Sequence, residues 1–250
     1  MVRIGNLELG AIPRVAVALS DVEVRQDAAT THELADVFEL RIDQFQRHDP
    51  DYVAEITVAA GAHAVPLLAT IRATSEGGVT ALEDRQRLGI LEAIVPQVDA
   101  VDIELQAPIR DQVVALAHAH GKPVILSYHN FDMTPPEVEL AKRIDMGRAA
   151  RADIVKIATT ALSTSDCRRL LGLLHPHPST PLIVIAMGAH GTMSRVFFPL
   201  IGSLLTWGFL HAPSAPGQLT LADLVAELRR YSPDFARERD VRQTAGAQRD

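Results

Sequence analysis

The chain has 250 residues, 47% of them hydrophobic, which is enough to enclose a sizeable core in one large domain or two small ones. A formal net charge of −7 gives no argument for nucleic acid or an anionic membrane surface, and the single cysteine, Cys167, excludes an intrachain disulfide framework. There is no run of about 18 apolar residues and no apolar leader core at the N-terminus, so the expectation is a soluble, cytoplasmic protein without a membrane span.

Taken in chain order, Val2-Arg3-Ile4 and Leu7-Glu8-Leu9 alternate around Gly5-Asn6 and predict a short hairpin. Eight apolar, β-branched runs follow: Val15–Ser20, Val37–Ile42, Leu67–Ile71, Val101–Leu105, Val124–His129, Ile154–Ala158, Leu182–Met187 and Ser203–Trp207. Between them lie helix-period stretches over Pro50–Gly61, Leu82–Val95, Ile109–His120, Pro136–Ala150 and Ser165–Leu174, two of them opened by Thr134-Pro135-Pro136-Glu137 and Ser163-Thr164-Ser165-Asp166. Continuous apolar strands alternating with helices imply a parallel sheet covered on its outer face. Eight repeats predict an α/β protein, a (β/α)8 TIM barrel with a short N-terminal β-hairpin in front. Neither GxGxxG nor GxxxxGK[ST] occurs, which weighs against dinucleotide and P-loop folds. Residues 1–230 read as one barrel domain. From Tyr231 to Asp250 the chain is polar with little apolar periodicity beyond Phe235, and is expected to be exposed and largely disordered.

In such a barrel, polar side chains at the C-terminal strand ends carry function. Lys156 lies in Ile154-Val155-Lys156-Ile157-Ala158, where burying an ammonium costs several kcal/mol unless it is paired or deprotonated. A depressed pKa makes it a Schiff-base nucleophile, and His129, ending the preceding strand, supplies acid–base chemistry. Glu39, Arg41 and Asp43 share one face by period two. Arg72 ends the third strand ahead of Glu76-Gly77-Gly78, Asp102 and Glu104 sit on the fourth, and Arg195 follows the seventh. The competing reading of these charges is a structural ion-pair network at the barrel mouth. Three arginines and a lysine converging on one volume favour an anionic small molecule, carboxylate before phosphate. His118 and His120 are expected to face solvent near a helix end, His190 to lie at the surface, and Cys167 to pack a helix. His175 and His177 flank prolines without carboxylate or thiolate partners for a metal.

Together these residues resemble the type I 3-dehydroquinate dehydratases, the Schiff-base enzymes of the shikimate and quinate pathways. The resemblance runs from about Val15 to Leu221 through Glu39-Leu40-Arg41-Ile42-Asp43, Arg72 with Glu76-Gly77-Gly78, Ser127-Tyr128-His129 and Val155-Lys156-Ile157-Ala158. It continues through Met187-Gly188, Gly191 with Ser194-Arg195, and Ser214-Ala215-Pro216-Gly217-Gln218. It implies a (β/α)8 barrel, a homodimer, 3-dehydroquinate as substrate, and neither metal nor organic cofactor. Lys156 resembles the imine-forming lysine, His129 the proton donor and acceptor, Glu76 the carboxylate that orients it, and Arg195 the carboxylate anchor. The resemblance places Glu39, Arg41, Arg72, Ser214 and Gln218 on the remaining substrate oxygens. Trp207 departs from a smaller aromatic, and Thr159-Thr160-Ala161-Leu162 from a methionine–proline stretch. A class I aldolase would use a similarly placed lysine to break a carbon–carbon bond, and a catalytically idle barrel would only bind a cyclic carboxylate. The Ser-Tyr-His and Pro-Gly-Gln motifs favour dehydration over the aldolase, and the retained Lys156, His129 and Glu76 favour catalysis over the idle barrel.

Overall fold

A computed structural model describes residues 2–175 and 180–246. Gly5, at φ +57°, turns the chain between β1 (Arg3–Ile4) and β2 (Leu7–Glu8), which pair antiparallel. Then come β3 (Val15–Leu19), α1 (Asp21–Gln26), α2 (Ala28–Thr31), β4 (Val37–Arg41), α3 (Pro50–Gly61), β5 (Leu67–Thr70), α4 (Asp84–Ile94), β6 (Ala100–Glu104) and α5 (Arg110–Ala119). The second half comprises β7 (Val124–Asn130), α6 (Glu137–Ala149), β8 (Ile154–Thr160), α7 (Thr164–Gly172), β9 (Leu182–Met187), α8 (Ser194–Leu200), β10 (Thr206–Gly208), α9 (Leu221–Tyr231) and α10 (Pro233–Gly246).

The eight strands β3 to β10 pair in parallel in the order β10-β3-β4-β5-β6-β7-β8-β9, forming a nearly closed (β/α)8 barrel. Between β9 and β10 no strand ladder forms among the described residues. Instead the Leu204 N–H donates to the Leu182 carbonyl at 2.9 Å, while the Ser203 hydroxyl accepts from the Val184 N–H at 2.9 Å and donates to the Val184 carbonyl at 3.3 Å. Ser203 thus joins the ring where the sequence led us to expect ordinary strand pairing.

Side chains alternate across each strand. Outward residues such as Phe38 and Leu40 pack on Ile56 and Ile90 of the surrounding helices, and on the other side Val155 packs with Ile144, Leu170 and Phe198. Inward, an aliphatic layer of Val37, Leu68, Ile125, Ile154 and Leu205 is closed from below by Ile4, Leu7 and Leu9 of the hairpin arm. Two residues further along the same strands the inward positions become Glu39, Thr70, Asp102, Ser127 and Lys156, all buried. The apolar floor therefore supports a polar storey that opens at the C-terminal mouth.

Residues 233–246 correct one expectation, because they form α10 and are not disordered. Phe235 is fully buried, Arg239 donates to Asp36 at 2.7 Å, Arg242 lies 2.8 Å from the same carboxylate, and Arg14 grips Glu238 through two 2.7 Å contacts. One aromatic and long-range ion pairs hold the helix, and neither leaves an apolar period in the sequence. Residues 247–250 and His177 lie outside the described residues. Among the described residues, no helix is long and apolar enough to cross a membrane.

Candidate active site

Lys156 stands midway along β8, opposite Ser127 of β7, and is 5% exposed. Its Nζ is 3.4 Å from Asp102 Oδ2 and 4.2 Å from the centre of the Trp207 ring. Burial pulls its pKa below the ordinary lysine range, and the charges of Arg72 and Arg41 add to that, while Asp102 and Glu39 oppose it.

His129 is the next-to-last residue of β7, one inward position beyond Ser127. Its ring Nδ1 lies 3.0 Å from Glu76 Oε2, and the same oxygen accepts its backbone N–H at 2.9 Å. Burial, reinforced by Arg72, Lys156, Arg41 and Arg195, holds the imidazole pKa well below its usual value. A neutral ring that donates from Nδ1 to a carboxylate keeps its lone pair at Nε2, the form a general base requires. Burial pushes Glu76 up to about 7, against the attraction of Arg72. The turn carrying Glu76 depends on glycine: Gly77 sits at φ +87°, and a β-carbon at Gly78 would collide with the Arg72 carbonyl.

Around this pair the cations are held in different ways. Arg41 makes a bidentate pair with Asp43 at 2.9 and 2.8 Å, which draws Asp43 below the usual carboxylate range despite burial. Arg72 donates to Asp102 at 2.6 Å, Glu104 at 3.0 Å and the Ser127 hydroxyl at 2.7 Å. Although buried, Asp102 is likewise held below its ordinary pKa, by Arg72 and then Lys156. Arg87 bridges Glu104 and the Ile71 carbonyl from behind. Glu39 accepts from the Thr70 hydroxyl at 2.8 Å and from the Trp207 indole N–H at 2.9 Å.

Arg195 differs from all of these. It is 2% exposed in the first turn of α8, with Nε and Nη2 unpartnered among the described residues, and burial alone lowers its pKa to about 10. The preceding Ser194 hydroxyl is pinned to the backbone of Ala186, which fixes where this helix starts. Leaving a buried guanidinium unpaired is costly, and an anion beside it would offset that cost. Across the cleft Gln218 folds back on Ser214, its Oε1 accepting the Ser214 and Ala215 N–H groups at 2.7 and 3.2 Å.

All nine residues singled out in the sequence, Lys156, His129, Glu76, Glu39, Arg41, Arg72, Arg195, Ser214 and Gln218, line one cleft of about 470 Å³ at the C-terminal mouth. Asp43 and Glu104 stand behind it as ion-pair partners, so the structural reading of the strand-end charges holds for those two. Sequence reasoning did not assign Asp102 a role, although it shares the inward parity of Glu104. It noted Trp207 only for its size, not for its hydrogen bond. His118 is not a plain solvent-facing residue: it lies 2.8 Å from Asp153 near the barrel base. His190 is exposed and Cys167 buried, as expected. Among the described residues, no group of three or more His, Cys, Asp or Glu is arranged to hold a metal ion.

Residues 15–232 match the sequence profile of the type I 3-dehydroquinase family. The chain belongs to that family. It is 36% identical to the 3-dehydroquinate dehydratase of Thermodesulfovibrio yellowstonii over 218 residues, which cover 86% of this chain and 93% of the relative. Against the Methanothrix thermoacetophila 3-dehydroquinate dehydratase the identity is again 36%, over 87% of this chain and 91% of the other. Among solved structures, the Aquifex aeolicus 3-dehydroquinate dehydratase aligns with a TM-score of 0.78 at 32% identity, over 88% of this chain and 99% of that one. The type I enzyme from Clostridium difficile, crystallised with covalently modified comenic acid, aligns with a TM-score of 0.83 at 28% identity, over 92% and 96%. Membership of the type I 3-dehydroquinases makes this chain an enzyme, a hydro-lyase.

Proposed function

We propose that the chain removes water from 3-dehydroquinate to give 3-dehydroshikimate, through an imine between the substrate ketone and Lys156. The observation that carries this is the juxtaposition in one cleft of a buried amine of lowered pKa, a neutral histidine oriented by a carboxylate, and an unpaired arginine. Covalent modification of comenic acid in the Clostridium difficile relative fits a nucleophile at such a site.

In this reading Arg195 takes the substrate carboxylate, which supplies the partner that the protein does not. Glu39, Arg41, Arg72, Ser214 and Gln218 meet the remaining oxygen atoms. The Lys156 amine adds to the ketone carbon and the carbonyl oxygen leaves as water, so the nitrogen becomes a protonated imine. That cation acidifies the α-proton, which His129 removes at Nε2, and the electron pair passes toward nitrogen as an enamine. Return of the electrons forms the carbon–carbon double bond and expels the β-hydroxyl, which takes its proton from His129 and departs as water. Addition of water to the imine then releases the conjugated product and restores the amine. Glu76 acts through the imidazole, holding the tautomer and offsetting the positive charge that develops on it.

The test is incubation with 3-dehydroquinate and borohydride, followed by intact-protein mass spectrometry and peptide mapping, alongside an ultraviolet assay for the conjugated product. A reduced adduct on Lys156 with product formation is expected; product without a trapped adduct would overturn the imine route, and neither would overturn the substrate. By the same family resemblance we infer a cytoplasmic homodimer, for which light scattering should return twice the chain mass. The reaction would serve aromatic biosynthesis or quinate breakdown.

A further inference from the structure

We propose that Trp207 is a positioning residue that ties the two sides of the cleft together. Its indole N–H fixes Glu39, and its ring face supports positive charge on the Lys156 nitrogen. The inference rests on the reading above, in which Lys156 forms the imine and Glu39 binds a substrate hydroxyl.

Trp207 lies in β10, opposite Ala16 of β3, and is 3% exposed. Glu39 lies on β4, on the far side of β3. The indole spans that gap because β3 offers alanine at both inward positions, Ala16 and Ala18, which leaves room for a large ring to cross. Next to it, a β-carbon at Gly208 would crowd the Leu221 backbone, so β10 sits close against the start of α9.

The consequence for Glu39 is specific. One carboxylate oxygen accepts from Thr70 and the other from Trp207, and no arginine or lysine forms an ion pair with it among the described residues. Both oxygens are therefore held by neutral donors of fixed direction, and their remaining lone pairs are left for the cleft. Phenylalanine at this position would keep a ring but supply no donor.

For Lys156 the ring acts on charge. An aromatic face about 4 Å from a desolvated cation attracts it through the ring quadrupole. The nitrogen is cationic in its ammonium form and again as the protonated imine, and neutral as the attacking amine and the enamine. Trp207 favours both charged stages, opposing the burial that drives the proton off and supporting the electron sink once the imine exists.

Two variants separate the contacts. Trp207→Phe should raise KM roughly three- to tenfold, the scale of one net hydrogen bond, with kcat within about twofold of the parent. Trp207→Leu should raise KM similarly and also lower kcat roughly tenfold, the scale of a desolvated cation–π contact. Formaldehyde and borohydride methylation of Lys156, mapped by peptide mass against pH without substrate, should proceed at lower pH in Trp207→Leu than in the parent or in Trp207→Phe. That readout needs no imine with substrate, so failure of the parent to trap 3-dehydroquinate would count against the proposed function and leave this contact still tested. An unchanged KM in Trp207→Phe overturns the Glu39 contact. An unmoved methylation profile in Trp207→Leu overturns the Lys156 contact. A lowered Tm with unaltered KM and methylation would leave Trp207 a packing residue only.

Discussion

The two ends of the barrel both gather buried charges, and they treat them oppositely. At the base, Arg14, Arg239 and Arg242 converge on Asp36 and Glu238, and every one of these side chains has an opposite charge within salt-bridge distance. At the mouth, Arg41 and Arg72 are paired just as tightly, yet among the described residues Arg195 has no carboxylate partner and Lys156 only a 3.4 Å contact with Asp102. Residue types alone do not separate the two clusters. What separates them is whether the protein itself completes the pairs. A completed cluster fastens α10 to the start of β4, whereas an incomplete one is energetically unfavourable by itself, and in the proposed function the substrate carboxylate would supply its missing partner.

That contrast can be broken most severely at Lys156. Lys156→Ala should lower turnover by a factor on the order of 10⁴ or more and abolish the borohydride-trapped adduct. Its Tm should equal or exceed the parent's, since a buried amine is removed. Near-normal turnover in the Lys156→Ala variant would end the imine reading. The mirror experiment is at the base. Asp36→Asn strips Arg14 and Arg239 of their buried partner and should destabilise the fold by about 3 kcal/mol in denaturant unfolding. Its KM and kcat, measured on folded protein, should stay unchanged. Loss of activity there without loss of stability would contradict the division between the two ends.

A subtler test replaces the unpaired arginine. Arg195→Met should raise KM roughly 10- to 100-fold, through loss of a charge-assisted anchor. Because no internal partner is stranded, stability should hold or rise by about 1 kcal/mol, the reverse of the base variant. The smallest effect concerns pH. The acid limb of kcat/KM should lie below the ordinary lysine range, because burial favours the neutral amine. Asp102 favours the ammonium, so Asp102→Asn should move that limb to still lower pH, as read from a pH–rate profile. A shift to higher pH would mean that another group controls the limb.

Much of the barrel is legible because it is written in local periods. The apolar runs of β3 to β9 and the capping serine Ser163, whose side chain accepts from the Asp166 N–H, are read from neighbouring residues. The strand β10, only three residues long and joined to β9 through Ser203, is legible less well, because its pairing rests on a side chain. The helix α10 is not legible at all. Its one buried aromatic is a single apolar position, and its arginines and glutamate look like a solvated surface until Arg14 and Asp36, more than 200 positions away, are brought alongside.

The site divides along the same line. Chain order and alternation establish which residue types stand at the strand ends, and hence an amine, an imidazole, several carboxylates and a surplus of arginine facing one volume. They also carry the family motifs that match residues 15–232. Ring closure settles the rest. It sets Glu76 against His129 across 53 positions, Asp102 against Lys156 across 54, and Trp207 against Glu39 across 168. Which buried charge is matched and which is left open depends on distances of a few ångströms in a medium of low polarity. A linear order of residues contains no such distances, so the unpaired guanidinium of Arg195 and the indole beside Lys156 exist only once the barrel has closed.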